Sequence, residues 1–104
     1  MFVFTVRVEM EKSHAEQWYK FMTQKHIQDV LDTNYFEKAE LEIVLSDNDE
    51  TSRFVSRYYF IEMELYERYL TKYAPKLRAE HSELFGDKVK AERTVSELKE
   101  YCFT

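Results

Sequence analysis

The sequence predicts an α+β fold of the ferredoxin-like βαββαβ order: a four-stranded antiparallel sheet with two helices on one face. Three observations predict it. The apolar pattern changes from period two to helical spacing near Ser13, returns to period two near Tyr35, and turns helical again after Met63. The only glycine, Gly86, stands where the second helical stripe gives way to a last alternating segment. A chain of 104 residues forms one domain, 1–104, and buries roughly two-thirds of its unfolded surface.

Phe2 to Glu9 alternates, with Phe2, Phe4, Val6 and Val8 on one side and Val3, Thr5, Arg7 and Glu9 on the other, the mark of a half-buried strand. Ser13-His-Ala-Glu16 has the form of a capping box and opens the first helix. Trp18, Met22 and Val30 recur along its stripe, and His26 shares their ridge. The helix should end near Thr33-Asn34, because asparagine tolerates the left-handed conformation.

From Tyr35 to Leu45 the period is two, with Ala39, Leu41, Ile43 and Leu45 apolar. The polar turn Ser46–Thr51 leads into a strand from Phe54 to Met63, and the two should pair as a hairpin. Phe54, Tyr58 and Phe60 occupy one face of this third strand, and Val55, Tyr59 and Ile61 the other. A strand apolar on both faces is covered on both.

The second helix carries Tyr66, Tyr69, Leu70, Tyr73, Ala74, Leu77, Leu84 and Phe85 on its stripe. Pro75 falls inside it and should kink or break it near Tyr73-Ala74. Val89, Ala91, Arg93 and Val95 alternate along the final strand. Residues 97–104 fit either a continued strand or a docked tail. Right-handed crossovers place the first and third strands at the centre with both helices on one face. The other face then holds Val3, some rings of the third strand and several charges. A second copy of the chain is the expected cover, giving a homodimer through the open sheet face.

Composition excludes several classes. The net charge of −5 is spread without a basic cluster, so nucleic acid and anionic membranes are not expected partners. No window approaches the ~20 apolar residues of a membrane span. A lone cysteine, Cys102, and a start without a signal-peptide pattern lead us to expect a cytoplasmic protein. Three histidines and one cysteine, scattered, do not make a zinc site, and Glu11-x-x-His14 lacks the second copy that a di-iron site needs. With one glycine there is neither a phosphate loop nor a nucleophile elbow. No metal and no cofactor are expected.

The pieces Pro75-Lys-Leu-Arg78, Glu80-His81 and Phe85-Gly-Asp-Lys88, with Trp18, His26, Val30, Phe36 and Arg93, resemble a small bacterial domain-of-unknown-function family with an α/β-plait fold. Asn34 departs from its pattern, which usually has glycine there. Members of that family are similar to the dimeric α+β barrels, in which two sheets pack face to face. The resemblance implies a fold and a dimer, and no reaction.

Five residues are candidates for chemistry. His26 is a general base or haem ligand or, more simply, a core or boundary histidine holding a backbone carbonyl or a carboxylate. His81 pairs with Glu80 or caps the helix end, or it binds a ligand. The two helices run antiparallel and should hold these histidines apart. Arg93 has inward parity, so it needs a carboxylate partner or an anionic ligand. Tyr58 and Tyr59, with Phe60, form either a stacking platform or part of a dimer core. The first functional reading is therefore a binding, regulatory or structural module. The alternative is a small dimeric α+β barrel enzyme, monooxygenase- or isomerase-like, with a small-molecule cavity near His26, Arg93 and Tyr58. Enzyme activity stays open at this point.

Overall fold

A computed structural model describes residues 1–45 and 50–99. Strand β1 (Phe2–Glu11) runs without a loop into helix α1 (Lys12–Phe21). A π turn (Met22–His26) and a short helix α2 (Ile27–Leu31) continue the same rod. Strands β2 (Lys38–Ile43) and β3 (Thr51–Phe60) follow, then α3 (Met63–Lys72), α4 (Ala74–Phe85), a 3₁₀ turn (Gly86–Lys88) and β4 (Val89–Glu97). The sheet order is β2-β3-β1-β4, antiparallel throughout. This is the ferredoxin-like arrangement, with β1 and β3 central as expected.

Local departures have physical causes. The capping box at Ser13 does not form: α1 starts at Lys12, and its N-cap, Glu11, makes no side-chain cap. Because β1 feeds straight into the helix, Ser13 already lies in the first turn, and the Lys12 amide is satisfied by the Glu50 carbonyl at 2.9 Å. Asn34 does take a left-handed φ of 67°, and the Thr33 hydroxyl donates to the Val30 carbonyl at 2.6 Å. Strand β2 is shorter than its alternating pattern, leaving Val44 and Leu45 exposed. Most of the polar turn before β3, and Cys102 with the end of the tail, lie outside the described residues.

The second helix breaks where Pro75 requires. Tyr73 leaves helical geometry at φ −122°, and Pro75 sits in the first turn of α4, where its missing amide costs nothing. Gly86, at φ 49°, ends α4. Leu84 is exposed rather than part of the stripe, because Phe85 takes the inward position beside it.

Even-numbered residues of β1 and β3 face the helices. Phe4, Tyr58, Phe60, Phe36 and Tyr69 pack with Val30, Ala74 and Leu77 in one cluster. Val8, Met10, Trp18, Met22, Phe54 and Phe85 form another. As alternation predicted, Phe54, Tyr58 and Phe60 of the third strand lie under the helices and Val55 and Tyr59 face away, while Ile61 falls past the strand end and is exposed. That open face is correspondingly polar. Arg53 pairs with Glu9 at 3.4 Å and Arg57 with Glu42 at 3.1 Å, around buried Val3, Thr5 and Val55. On the helix side, β4 is the poorly covered edge: Val89 is buried, but Ala91, Arg93 and Val95 are exposed. The apolar side of β4 stays open because the helices lie over the other three strands.

Candidate functional site

Trp18, Met22, His26 and Val30 are spaced by four. In a regular α-helix each step of four over-rotates by roughly 40°, which would carry the last of them off the first one's face. The π turn, in which the Ile27 amide donates to the Met22 carbonyl, takes up part of that drift. Trp18, Met22 and Val30 are consequently all buried, and His26 lies largely inside between them. Across from this ridge α4 presents Ala74, Arg78, His81 and Phe85, spaced four, three and four.

These two ridges and the uncovered edge of the sheet enclose a cavity of about 40 Å³. Phe4, Val6 and Val8 of β1 floor it, Ser56 and Tyr58 of β3 and Tyr69 of α3 add hydroxyls, and Ala91 and Arg93 of β4 stand at its rim. Trp18, His26, Arg78 and His81 complete the wall.

The two histidines meet, against expectation. Their ring centroids are 6.2 Å apart. The expectation placed His26 past the middle of the first helix and His81 near the end of the second, positions that antiparallel packing of two full-length helices would separate. The break at Tyr73 leaves α4 alone to run antiparallel to α1 and α2, so Glu80 reaches Lys25 at 2.8 Å and Phe85 stacks edgewise on Phe21 at 5.6 Å. His81 falls level with His26 as a result. It does not pair with Glu80, nor does it cap the helix end; its Nε2 accepts the indole N–H of Trp18 at 3.0 Å. That bond fixes the neutral imidazole as the Nδ1–H tautomer. His26 was expected to hold a carbonyl or carboxylate, yet its Nδ1 is buried without any partner. Its other neighbours, Phe21 and His81, are rings.

Burial, with His81 as a second cause, pushes the His26 pKa down to about 4. Burial and then the Arg93 charge lower that of His81. Both imidazoles are neutral at pH 7. Burial raises the Tyr58 phenol, which hydrogen-bonds Ser56, and pushes Tyr69 up to about 12, so both stay protonated.

Arg93 faces the helices, as its parity required, but remains solvent-exposed because β4 is poorly covered. Its expected carboxylate is missing: among the described residues neither Arg93 nor Arg78 has an acid within ion-pair distance. Instead both arginines line the same cavity. Desolvation, and then the charge of Arg78, holds Arg93 below its ordinary pKa. The charges of Arg78 and Arg93 also act on the nearby Tyr66 phenol, whose pKa burial nevertheless raises. Arg78 was not singled out as a candidate, although its place one turn before His81 and one turn after Ala74 is visible in the spacing.

Of the sequence candidates, His26, His81, Tyr58 and Arg93 come together at this cavity. Tyr59 does not. Strand alternation turns it to the open face, where the Lys38 ammonium lies 4.6 Å from its ring centre and its hydroxyl bonds Glu40. Tyr58 and Phe60 lie buried on the helix side and Tyr59 alone on the open one, so the three make no stacking platform. Among the described residues no three His, Cys, Asp or Glu side chains gather as a metal site, and no helix is long and apolar enough to cross a membrane.

Solved structures of known proteins share this fold at low sequence identity. HapK from Hahella chejuensis is 7% identical, with a TM-score of 0.71 over 100% of this chain and 98% of its own. A variant of SnoaB, a cofactor-independent oxygenase from Streptomyces nogalater, is 12% identical, with a TM-score of 0.70 over 96% of this chain and 95% of its own. A protein from an uncultured marine organism, described as a dimeric ferredoxin-like protein, is 10% identical at a TM-score of 0.70, covering 100% of both chains. No curated protein matches by sequence. The sequence profile of a domain of unknown function, DUF4286, matches residues 1–100, and the chain belongs to that family.

Proposed function

We propose that the protein is a homodimeric binding module of the cytoplasm that receives a small molecule between its sheet and α4. The observation that carries this reading is the convergence of Tyr58, Tyr69, Arg78, His81, Arg93 and the unpartnered His26 on one cavity. Side chains that serve only packing have no reason to bring two arginines and two imidazoles together without an acid. The dimer is supported by the description of a structural neighbour as dimeric and by a sheet face that no helix covers. Its interface would be built on paired charges around a narrow apolar line, so it is expected to loosen as salt rises.

An enzyme of the dimeric-barrel type is the second reading. SnoaB, of the same fold, is described as a cofactor-independent oxygenase, and His26, Tyr58 and Arg93 here share a cavity. A cavity of about 40 Å³, against the ~300 Å³ at which small-molecule pockets ordinarily begin, limits either reading to a ligand of a few heavy atoms.

One preparation tests both parts. Light scattering at micromolar concentration should give a dimer in low salt, and native mass spectrometry should show a bound mass released on denaturation. A stable monomer whose cavity never takes a ligand would end this reading, and turnover of a bound compound would replace it with the enzymatic one.

A further inference from the structure

Resting on the binding reading above, we propose that Arg78 and Arg93 receive a small planar oxyanion, of the carboxylate or carbonate class, in the cavity they share with His26 and His81. The first ground is charge. The chain holds 20 acidic residues against 15 basic ones, and Arg53, Arg57 and Arg68 each have a glutamate within 3.4 Å. Arg78 and Arg93 have none among the described residues, and both line one cavity, where the charge of Arg78 is felt at Arg93. Glu80, two residues from Arg78, is taken by Lys25. Two convergent guanidinium groups repel until an anion sits between them, and their planar forks match a flat oxyanion through paired N–H donors.

The second ground is the set of neutral donors beside them. With its Nε2 accepting from Trp18, the neutral His81 ring carries its proton on Nδ1. The buried Nδ1 of His26 has no partner and is available as a donor in the matching tautomer. The Tyr69 hydroxyl on the same wall stays protonated. No carboxylate lines the cavity to oppose an anion.

The third ground is size. A water needs ~10–15 Å³ of such volume, so about 40 Å³ holds around three waters or one anion of three or four heavy atoms. Nucleotides and sugars do not fit. Formate, acetate, bicarbonate and nitrite do.

The single tryptophan is the reporter, because Trp18 lines the cavity and bonds His81. Its emission is followed while sodium formate, acetate, bicarbonate, nitrite, phosphate and chloride are titrated at constant ionic strength. The planar anions should saturate the signal with a Kd near ~1 mM, while phosphate and chloride remain weaker. Arg93→Met, on an exposed edge and so expected to fold, should weaken binding by about tenfold or more, as expected for charge-assisted hydrogen bonds. Arg93→Lys should fall between, and Arg78→Met, checked for folding by circular dichroism, should match Arg93→Met.

A preference for phosphate, an equal response to chloride, or undiminished binding by Arg93→Met would overturn the proposal. Neutral acetamide and propanol separate it from the reading beneath it. If they saturate the signal and no anion does, the oxyanion class falls and the binding module stands; if nothing saturates it, both fall.

Discussion

On the open face of the sheet Arg53 and Arg57 each reach a glutamate on a neighbouring strand, whereas on the helix face Arg78 and Arg93 reach none among the described residues and share one cavity, where the charge of Arg78 helps hold the Arg93 pKa down. The same acidic chain supplies both settings, so the difference is one of placement. Pairs in water contribute little, ~0–1 kcal/mol, and the open face could lose one without harm. Half-shielded like charges oppose folding, and their persistence beside a cavity is better explained by what they hold than by what they stabilise. The open face is arranged for solubility and assembly, and the helix face combines the core with an electrostatic cost that a ligand would relieve.

Neighbouring residues on β3 give the sharpest test of that contrast. Phe60 is fully buried under the helices, stacked on Tyr66 at 5.4 Å and on Phe2 at 5.5 Å. Phe60→Ala should cost about 3–5 kcal/mol through lost burial and a residual void. Tyr59→Ala, one residue away on the open face, should cost under ~1 kcal/mol, the scale of an exposed cation–π contact. Urea denaturation at low protein concentration measures both. Equal costs would mean that the open face is as dry as the core. A Tyr59→Ala cost that grows with protein concentration would place a second subunit over it.

The next largest effect concerns His26. Its pKa falls from 6.5 unfolded to about 4 folded, so between these values the unfolded chain binds more protons. Stability is therefore fully present above pH 6.5 and is lost as pH falls towards 4, by ~3 kcal/mol at most. Lys25, Asp29 and Glu80 around it and His81 across from it are the charged and titratable groups that face this ring. His26→Phe should flatten the part of the pH–stability curve that His26 contributes, leaving the smaller same-signed share of His81. Parallel wild-type and variant curves between pH 7 and 4.5 would refute the assignment.

Periodicity made most of the fold legible, since a switch between spacings of two and near four marks each boundary, and Pro75 and Gly86 mark the break and the stop. The site was half legible. Parity placed Arg93 on the helix side, and spacing placed His26 on the buried ridge. What stayed hidden depended on how rods pack after a break. Proline announces the kink near Tyr73 but not that α4 alone would lie along α1, which is what sets His81 against His26 and Trp18. Nor does a local pattern tell how far helices reach across a sheet. Arg93 and Val95 look interior by alternation and are exposed because they stand on an edge strand. Alternation sorted the apolar residues of β3 correctly, with Phe54, Tyr58 and Phe60 on one side and Val55 and Tyr59 on the other; what it did not show is that the strand ends at Phe60, leaving Ile61 exposed beyond it and the open face thinner in apolar area.

The smallest effect is the most diagnostic for the open face. Arg57 and Glu42 lie on paired strands with Nη1 3.1 Å from Oε2, and both remain accessible to water in a single subunit. A double-mutant cycle with Arg57→Ala and Glu42→Ala should return a coupling of ~0.2–1 kcal/mol that shrinks as salt is added. Because the pair is satisfied, it has no anion to wait for, and formate or acetate should leave its coupling untouched. A coupling above ~2 kcal/mol, insensitive to salt, would mean the pair is desolvated in solution. Only another surface laid against the sheet could do that, and the strength of the pair would then measure how tightly two subunits close.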